Sequence, residues 1–304
     1  MNSKTANAVM VEMLPSQPCA QKPKANLMTR VLSALILAPI FLYLSYVGGV
    51  VLHGLIAVIF TAALREWSKI TTQNLFHPVC TLALTGFVMF HFTGITFLTM
   101  FVGAMVCALS YYLQKNTLSF DTPQRCGIFL AGVLYLLMAM TFFIDLSAKN
   151  VFLSAQTTQP NDIHTHPTLF IIWLYSIVWS TDIGAYFTGS LLKGPKLCPR
   201  ISPNKTWAGF FGGIIMALGI GYSFLVILDI TLITSISVFL IIALFSVSAH
   251  SGDLIESAVK RYFKIKDAGQ LIPGHGGVLD RLDSLFLVMI VAVTLIYTNV
   301  IGCK

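Results

Sequence analysis

The run Trp207–Leu228, WAGFFGGIIMALGIGYSFLVIL, carries no charged residue and is long enough to cross a bilayer, which takes about 20 apolar residues in a helix. Working outward, apolar runs flank it at 168–189 and 231–250, and others lie at 28–46, 48–64, 79–93, 94–113, 126–146 and 284–301. They give about nine spans; the short run 79–93 and the Gly48-Gly49 break are the least regular parts of the pattern. A mean hydropathy of +0.80 and 22 Phe in 304 residues exceed what one soluble core needs. The expected fold class is therefore all-α, a polytopic integral membrane protein.

Basic residues should collect in cytoplasmic loops. With the N-terminus cytoplasmic and nine spans, all basic residues except Lys149 and Lys304 do so, and the C-terminus falls outside. Losing or gaining a span before residue 190 would put the basic loop 193–205 opposite its neighbours. The chain then divides into a mobile cytoplasmic arm at 1–27, an N-terminal transmembrane region at 28–146 of about five helices, an outside loop at 147–167, and a catalytic transmembrane region at 168–304. That last region has about four helices and cytoplasmic loops at 190–206 and 251–283. The formal charge of +7 becomes a property of the cytoplasmic face, suited to anionic headgroups or a polyphosphate, although topology alone would also require it.

Several features carry less. The arm holds Pro15, Pro18 and Pro23 and lacks a cleavage pattern after a short apolar core. The six cysteines show no CxxC spacing, so neither a disulfide framework nor a zinc site is expected. His164 and His166 form an HxH in the outside loop; solvated surface is the simpler reading, because the carboxylates lie across the membrane. No repeat stands out.

Chemistry is concentrated in Ser251–Ser284, SGDLIESAVKRYFKIKDAGQLIPGHGGVLDRLDS. Asp253, Glu256, Asp267, Asp280 and Asp283, with Asp182 upstream, make up half of the 12 acidic residues. As a helix, 253–264 collects Asp253, Glu256, Ser257, Lys260, Arg261 and Lys264 on one arc and apolar residues on the other. An interfacial amphipathic helix would look the same. Against that plain reading, Asp253 points toward the end of a span, and a bare carboxylate costs about 2.5 to 3.5 kcal/mol at mid-bilayer depth. Asp280 and Asp283 share one face at the start of the last span. With Asp253 they offer three hard oxygen donors for Mg²⁺, which takes one or two carboxylates and leaves positions for substrate phosphates. Favourable charge at a helix N-terminus explains one Asp but not the group. Between them, Pro273-Gly274-His275-Gly276-Gly277 is a turn whose glycines let N–H groups approach an anion, with His275 able to donate to phosphate or shuttle a proton.

A second constellation begins at Asp182, within Trp179–Phe187, and runs through Lys193, Lys196 and Arg200 to Ser202-Pro203-Asn204-Lys205-Thr206-Trp207. Pro195, Pro199 and Pro203 forbid a continuous helix and give a stiff loop. Thr206 can cap the next span, whose free N–H groups would face an anion. A basic loop followed by a helix cap is the simpler reading of the same residues.

Together these residues resemble the integral-membrane phosphatidate cytidylyltransferase, or CDP-diacylglycerol synthase, family. Its C-terminal motif, S-x-x-K-R-x4-K-D-x-G-x2-hydrophobic-P-x-H-G-G-x-x-D-R-x-D, is matched in register by Ser257, Lys260, Arg261, Lys266, Asp267, Gly269, Pro273, His275, Gly276, Gly277, Asp280, Arg281 and Asp283. Asp182–Tyr186 and Ser202–Trp207 resemble the central motif, which usually ends Thr-Trp-Glu-Gly; this chain has Ala208 in place of that Glu. The resemblance implies that phosphatidate and CTP give CDP-diacylglycerol and pyrophosphate with a divalent metal, Mg²⁺, alone or with a second metal ion. Asp253, Asp280 and Asp283 would hold metal, and Asp182 would hold a metal water or orient a base. Ser202, Asn204, Lys205, Ser257, Lys260, Arg261, Lys266, Asp267, His275, Gly276, Gly277 and Arg281 would line the phosphates. The resemblance also implies a homodimer in the bilayer, a bacterial inner membrane with the site at the cytoplasmic face, and no nucleic-acid partner. A CTP-dependent kinase of a lipid alcohol would share these groups but release CDP. An ion-coupled transporter would predict inverted repeats.

Overall fold

The computed structural model describes residues 36, 39–72, 123–148, 167–228, 235–269, 271 and 276–298. The expected spans 79–93 and 94–113, the arm 1–27, His164, His166 and His275 lie outside the described residues. The described chain forms helices α1 (Gly49–Thr72), α2 (Pro123–Ala148) and α3 (Pro167–Leu192), strands β1 (Lys196–Cys198) and β2 (Ser202–Thr206), and helices α4 (Trp207–Ile227), α5 (Ser235–Tyr262) and α6 (Leu279–Tyr297). Five of them, α1 to α5, are long and apolar enough to cross a membrane. The protein is a largely helical integral membrane protein.

The Gly48-Gly49 break is real: both residues are left-handed, at φ +67° and +56°, a conformation open to glycine without strain. It separates a helical stretch at 39–47 from α1. Helix α1 continues eight residues beyond the expected end at 64, so Arg65, Glu66 and Lys69 ride on its last turns. Helix α5 likewise joins two features that the sequence suggests separately, the span 231–250 and the amphipathic segment from Asp253, into one helix of 28 residues.

The prolines of the 193–206 loop give a local structure that an all-helical reading does not include. Strands β1 and β2 pair antiparallel, with Lys196 opposite Thr206 and Cys198 opposite Ser202. The Ile201 N–H closes the turn on Cys198 O at 3.1 Å, and the Trp207 N–H reaches Pro195 O at 3.0 Å. The hairpin thus delivers Thr206 to the N-cap of α4, where its side chain accepts from the Gly209 N–H at 3.1 Å. This is the expected cap.

Packing follows size. Helices α3 and α4 lie against each other through glycines: a Cβ at Gly184 would meet Gly212 O at 2.8 Å, and one at Gly213 would meet Thr181 O at 2.8 Å and His250 Nε2 at 2.7 Å. Small residues that let backbones approach are the common adhesive of membrane helices. Trp173 crosses the same seam and donates to Gly221 O at 2.8 Å. Helices α1 and α2 are locked by Trp67, which donates to Phe129 O at 3.0 Å and occupies the space that a side chain at Gly132 would need. Phe60, Phe129, Phe170, Trp173, Tyr175 and Phe245 are fully buried between the helices. Helix α6 packs against α5 and α2, which sets its polar first turn beside the polar end of α5.

Candidate active site

Three polar ends converge: the hairpin ahead of α4, the last turns of α5 and the first turn of α6. Lys205, the last basic residue of the hairpin, makes an ion pair with Asp253 of α5, Nζ to Oδ2 at 2.7 Å. Ser257, one turn along, donates to the other Asp253 oxygen at 3.2 Å. Lys260, buried, reaches Glu256 on its own helix at 3.0 Å and Asp280 of α6 at 2.7 Å. Arg261 donates from Nε to Ile201 O at 3.2 Å and from Nη1 to Ile265 O at 3.1 Å, fastening the hairpin tip to the end of α5.

Asp280 is the most fully bonded acid. Besides Lys260, its oxygens accept the Ala268 N–H at 3.0 Å and the Gly277 N–H at 3.0 Å. It precedes the apolar part of α6, and its carboxyl is held below the ordinary value of 3.8: burial pushes it up, but the Lys260 hydrogen bond and charge and the two backbone N–H groups outweigh that. Asp283 accepts from the Ser284 N–H at 2.7 Å and lies in the field of Asp253, Glu256 and Lys260. Gly252 makes that proximity possible, since a Cβ there would press on Asp283 O. Asp182, on α3, interacts electrostatically with Asp253, Lys205 and Arg281.

The sequence-predicted residues therefore divide. Asp182, Lys205, Asp253, Ser257, Lys260, Asp280 and Asp283 form one charged network, and Arg261 braces it. Ser202 is half-buried on β2 and Asn204 is exposed; Lys266, Asp267 and Arg281 are exposed around the rim. Gly276 is left-handed at φ +92°, as a tight turn demands. The Gly277 N–H, expected to face a phosphate, is given to Asp280. Glu256, expected only on the polar face of its helix, joins the network through Lys260, and the Ala268 N–H joins it through Asp280 without having been singled out.

Among the described residues no three His, Cys, Asp or Glu side chains are arranged to hold a metal ion. Asp280 in particular spends both oxygens on Lys260 and backbone N–H groups. Asp253 gives its two oxygens to Lys205 and Ser257, both side-chain donors that a substrate phosphate can draw away, and Asp283, within its electrostatic reach, bonds through Oδ1 to Ser284; the pair matches the one or two carboxylates that Mg²⁺ takes when substrate phosphates supply other ligands.

Glu66 is the residue that sequence reasoning missed. From α1 it accepts the Val278 N–H at 3.1 Å and the Leu279 N–H at 2.8 Å, at the start of α6. The available signal was an acid two residues past the apolar run 48–64, in a chain with only 12 acids.

A family model described as "Cytidylyltransferase family" matches residues 28–299. The chain belongs to the cytidylyltransferase family. Its similarity extends to curated relatives over nearly their whole length. A phosphatidate cytidylyltransferase of Bacillus subtilis (strain 168) is 34% identical over 270 residues, covering 86% of this chain and 94% of the relative. One from Brucella suis biovar 1 (strain 1330) is 37% identical over 266 residues, 86% of this chain and 90% of the relative. One from Staphylococcus aureus (strain COL) is 32% identical over 270 residues, 86% and 95% respectively. For this cytidylyltransferase-family chain, the match spans both the α1–α2 pair and the charged network, so Glu66 and Asp280 belong to one family unit. Position 208, where the motif resemblance leads one to expect Glu, is Ala packed against Gly194.

Proposed function

We propose that the protein transfers CMP from CTP to phosphatidate, forming CDP-diacylglycerol and pyrophosphate. The observation that carries this reading is the meeting of the central and C-terminal motif segments at one ion pair, Lys205 with Asp253, in a chain of this family whose relatives are named phosphatidate cytidylyltransferases. A phosphatidate phosphate oxygen attacks the α-phosphorus of CTP in line. The bond from that phosphorus to the bridging oxygen breaks, and pyrophosphate leaves with the electron pair. Phosphatidate is already anionic, so the step needs charge stabilisation more than a general base. Lys205 supplies a cation that can turn from Asp253 to a phosphate. Lys260 holds its charge beside the α6 turn, and Ser202, Asn204, Arg261 and Arg281 line the approach, with Lys266, Asp267 and His275 in the adjoining segment. Asp182 orients the Lys205–Asp253 pair. Asp253 and Asp283 are the side chains that would hold Mg²⁺, whose chemistry would be to neutralise phosphate charge.

The remaining arrangement is also a proposal: nine spans with the N-terminus cytoplasmic and the C-terminus outside, a homodimer in a bacterial inner membrane, and a site at the cytoplasmic face. The positive-inside distribution of basic residues supports that orientation. A site at the polar boundary of the helices suits both substrates, because drawing acyl chains into water costs about 0.8 kcal/mol per CH₂. The test is pyrophosphate release by purified, detergent-solubilised protein given CTP, phosphatidate and Mg²⁺, with Asp280→Asn beside it. Release that requires both substrates and disappears in the variant is expected. Absence of release from folded wild type, or CDP in place of pyrophosphate, would overturn the reading.

A further inference from the structure

Helix α6 begins without a side-chain cap at its N-cap position. Its N-cap, Val278, is apolar and makes no side-chain capping bond, so the first N–H groups of the helix need partners from elsewhere. Glu66 supplies them from a position 212 residues earlier in the chain: its two oxygens take the N–H groups of Val278 and Leu279 separately. A carboxylate also suits the positive end of the helix dipole. Glu66 is only 6% exposed, and its own helix is fixed beside it by the Trp67–Phe129 bond.

The glycines of the signature segment take on a specific meaning around this acid. A Cβ at Gly277 would come within 2.6 Å of Glu66 Oε2, and one at Gly269 would overlap Glu66 Oε1. The backbone at Gly269 and at Gly277 is therefore kept bare where the Glu66 carboxylate approaches it. The same turn gives the Gly277 N–H to Asp280, and Asp280 in turn holds Lys260. A chain of direct bonds thus runs from α1, through the start of α6, to the charged network.

We propose that Glu66 is a positioning residue: by capping α6 from α1, it fixes where Asp280 and Asp283 stand and so couples the N-terminal helices to catalysis. Glu66 does not reach the reacting atoms. The inference rests on the cytidylyltransferase reading for its kinetic consequence, but its structural half stands independently.

The test uses the full-length protein in detergent with Glu66→Gln, Glu66→Ala and Gly269→Ala. The glutamine amide can accept one of the two N–H groups but turns its own NH₂ toward the other. Hydrogen–deuterium exchange should therefore accelerate at Val278 and Leu279 in each variant while peptides of α3 and α4 keep wild-type protection. Because small displacements of catalytic groups cost up to about 100-fold, kcat should fall by roughly 10- to 100-fold with KM for phosphatidate little changed. Gly269→Ala, which displaces the acid without altering it, should add nothing in the Glu66→Ala background. Unchanged exchange at Val278 and Leu279, accelerated exchange throughout α3 and α4, or full additivity of the two alanine substitutions would each overturn the proposal. Wild-type protein that releases no pyrophosphate would instead remove the catalytic reading and leave the exchange result to judge the capping role alone.

Discussion

Lys205 Nζ lies 2.7 Å from Asp253 Oδ2, joining the hairpin before α4 to the polar end of α5. The two side chains are 21% and 32% exposed, so the pair contributes little to stability, below about 1 kcal/mol. In the proposed reaction its part is the placement of a cation. Lys205→Met should leave the melting temperature in detergent within a few degrees of wild type while lowering pyrophosphate release by about 100- to 1000-fold, the scale for losing a transition-state charge contact. Equal losses of melting temperature and activity would assign the pair to folding.

Lys260 behaves differently. It and Asp280 are only 10% and 11% exposed, and breaking a buried pair costs about 3 to 5 kcal/mol because a charge is left behind. Lys260 keeps Glu256 at 3.0 Å, so Asp280→Asn should destabilise by less, about 2 kcal/mol. Thermal unfolding read by intrinsic fluorescence, with Lys205→Met as comparison, checks the order of the two effects.

The sign of the pH dependence follows from Asp280. Its folded value is depressed below 3.8, so its stabilising contribution is complete above the ordinary carboxylate value and is lost as pH falls below 3.8 through the folded value. Wild type should thus lose melting temperature more steeply than Asp280→Asn in that acid window, and the two curves should run parallel near neutral pH. Parallel curves throughout would mean that Asp280 is not depressed.

The α3–α4 seam offers a paired comparison. Gly213→Ala would drive a methyl to within 2.8 Å of Thr181 O and 2.7 Å of His250 Nε2, whereas Gly219 has nothing within 4 Å. Overpacking costs about 1 to 3 kcal/mol, while Gly→Ala at an open helical position gains up to about 1 kcal/mol. Opposite shifts in melting temperature are expected from two substitutions on one helix.

What was legible in the sequence was the part governed by local pattern. The run 207–228 became α4 at Trp207–Ile227, and Thr206 capped it, because apolar length and an N-cap residue act over a few positions. The hairpin was not legible: KLC and SPNKT are too short and too proline-rich to show strand alternation, and their pairing depends on the turn at Ile201. Spacing within each motif pointed to Asp253, Lys260 and Asp280 on one side and Asp182 and Lys205 on the other; only the family resemblance implied that the two sets belong to one site. Glu66 was not legible, because capping from another helix leaves no mark in the sequence around Val278.

Helix α5 has 28 residues, a length of about 42 Å at 1.5 Å per residue. The hydrocarbon layer is about 30 Å deep. Standing upright, such a rod overshoots the oil by about 12 Å, close to the depth of the two headgroup layers together. Glu256 and Lys260 lie within about the last 12 Å of the helix and Asp253 just before it, so their spacing along the rod is set by one unbroken helix. A phospholipid can present its phosphate there while its tails stay in their own leaflet.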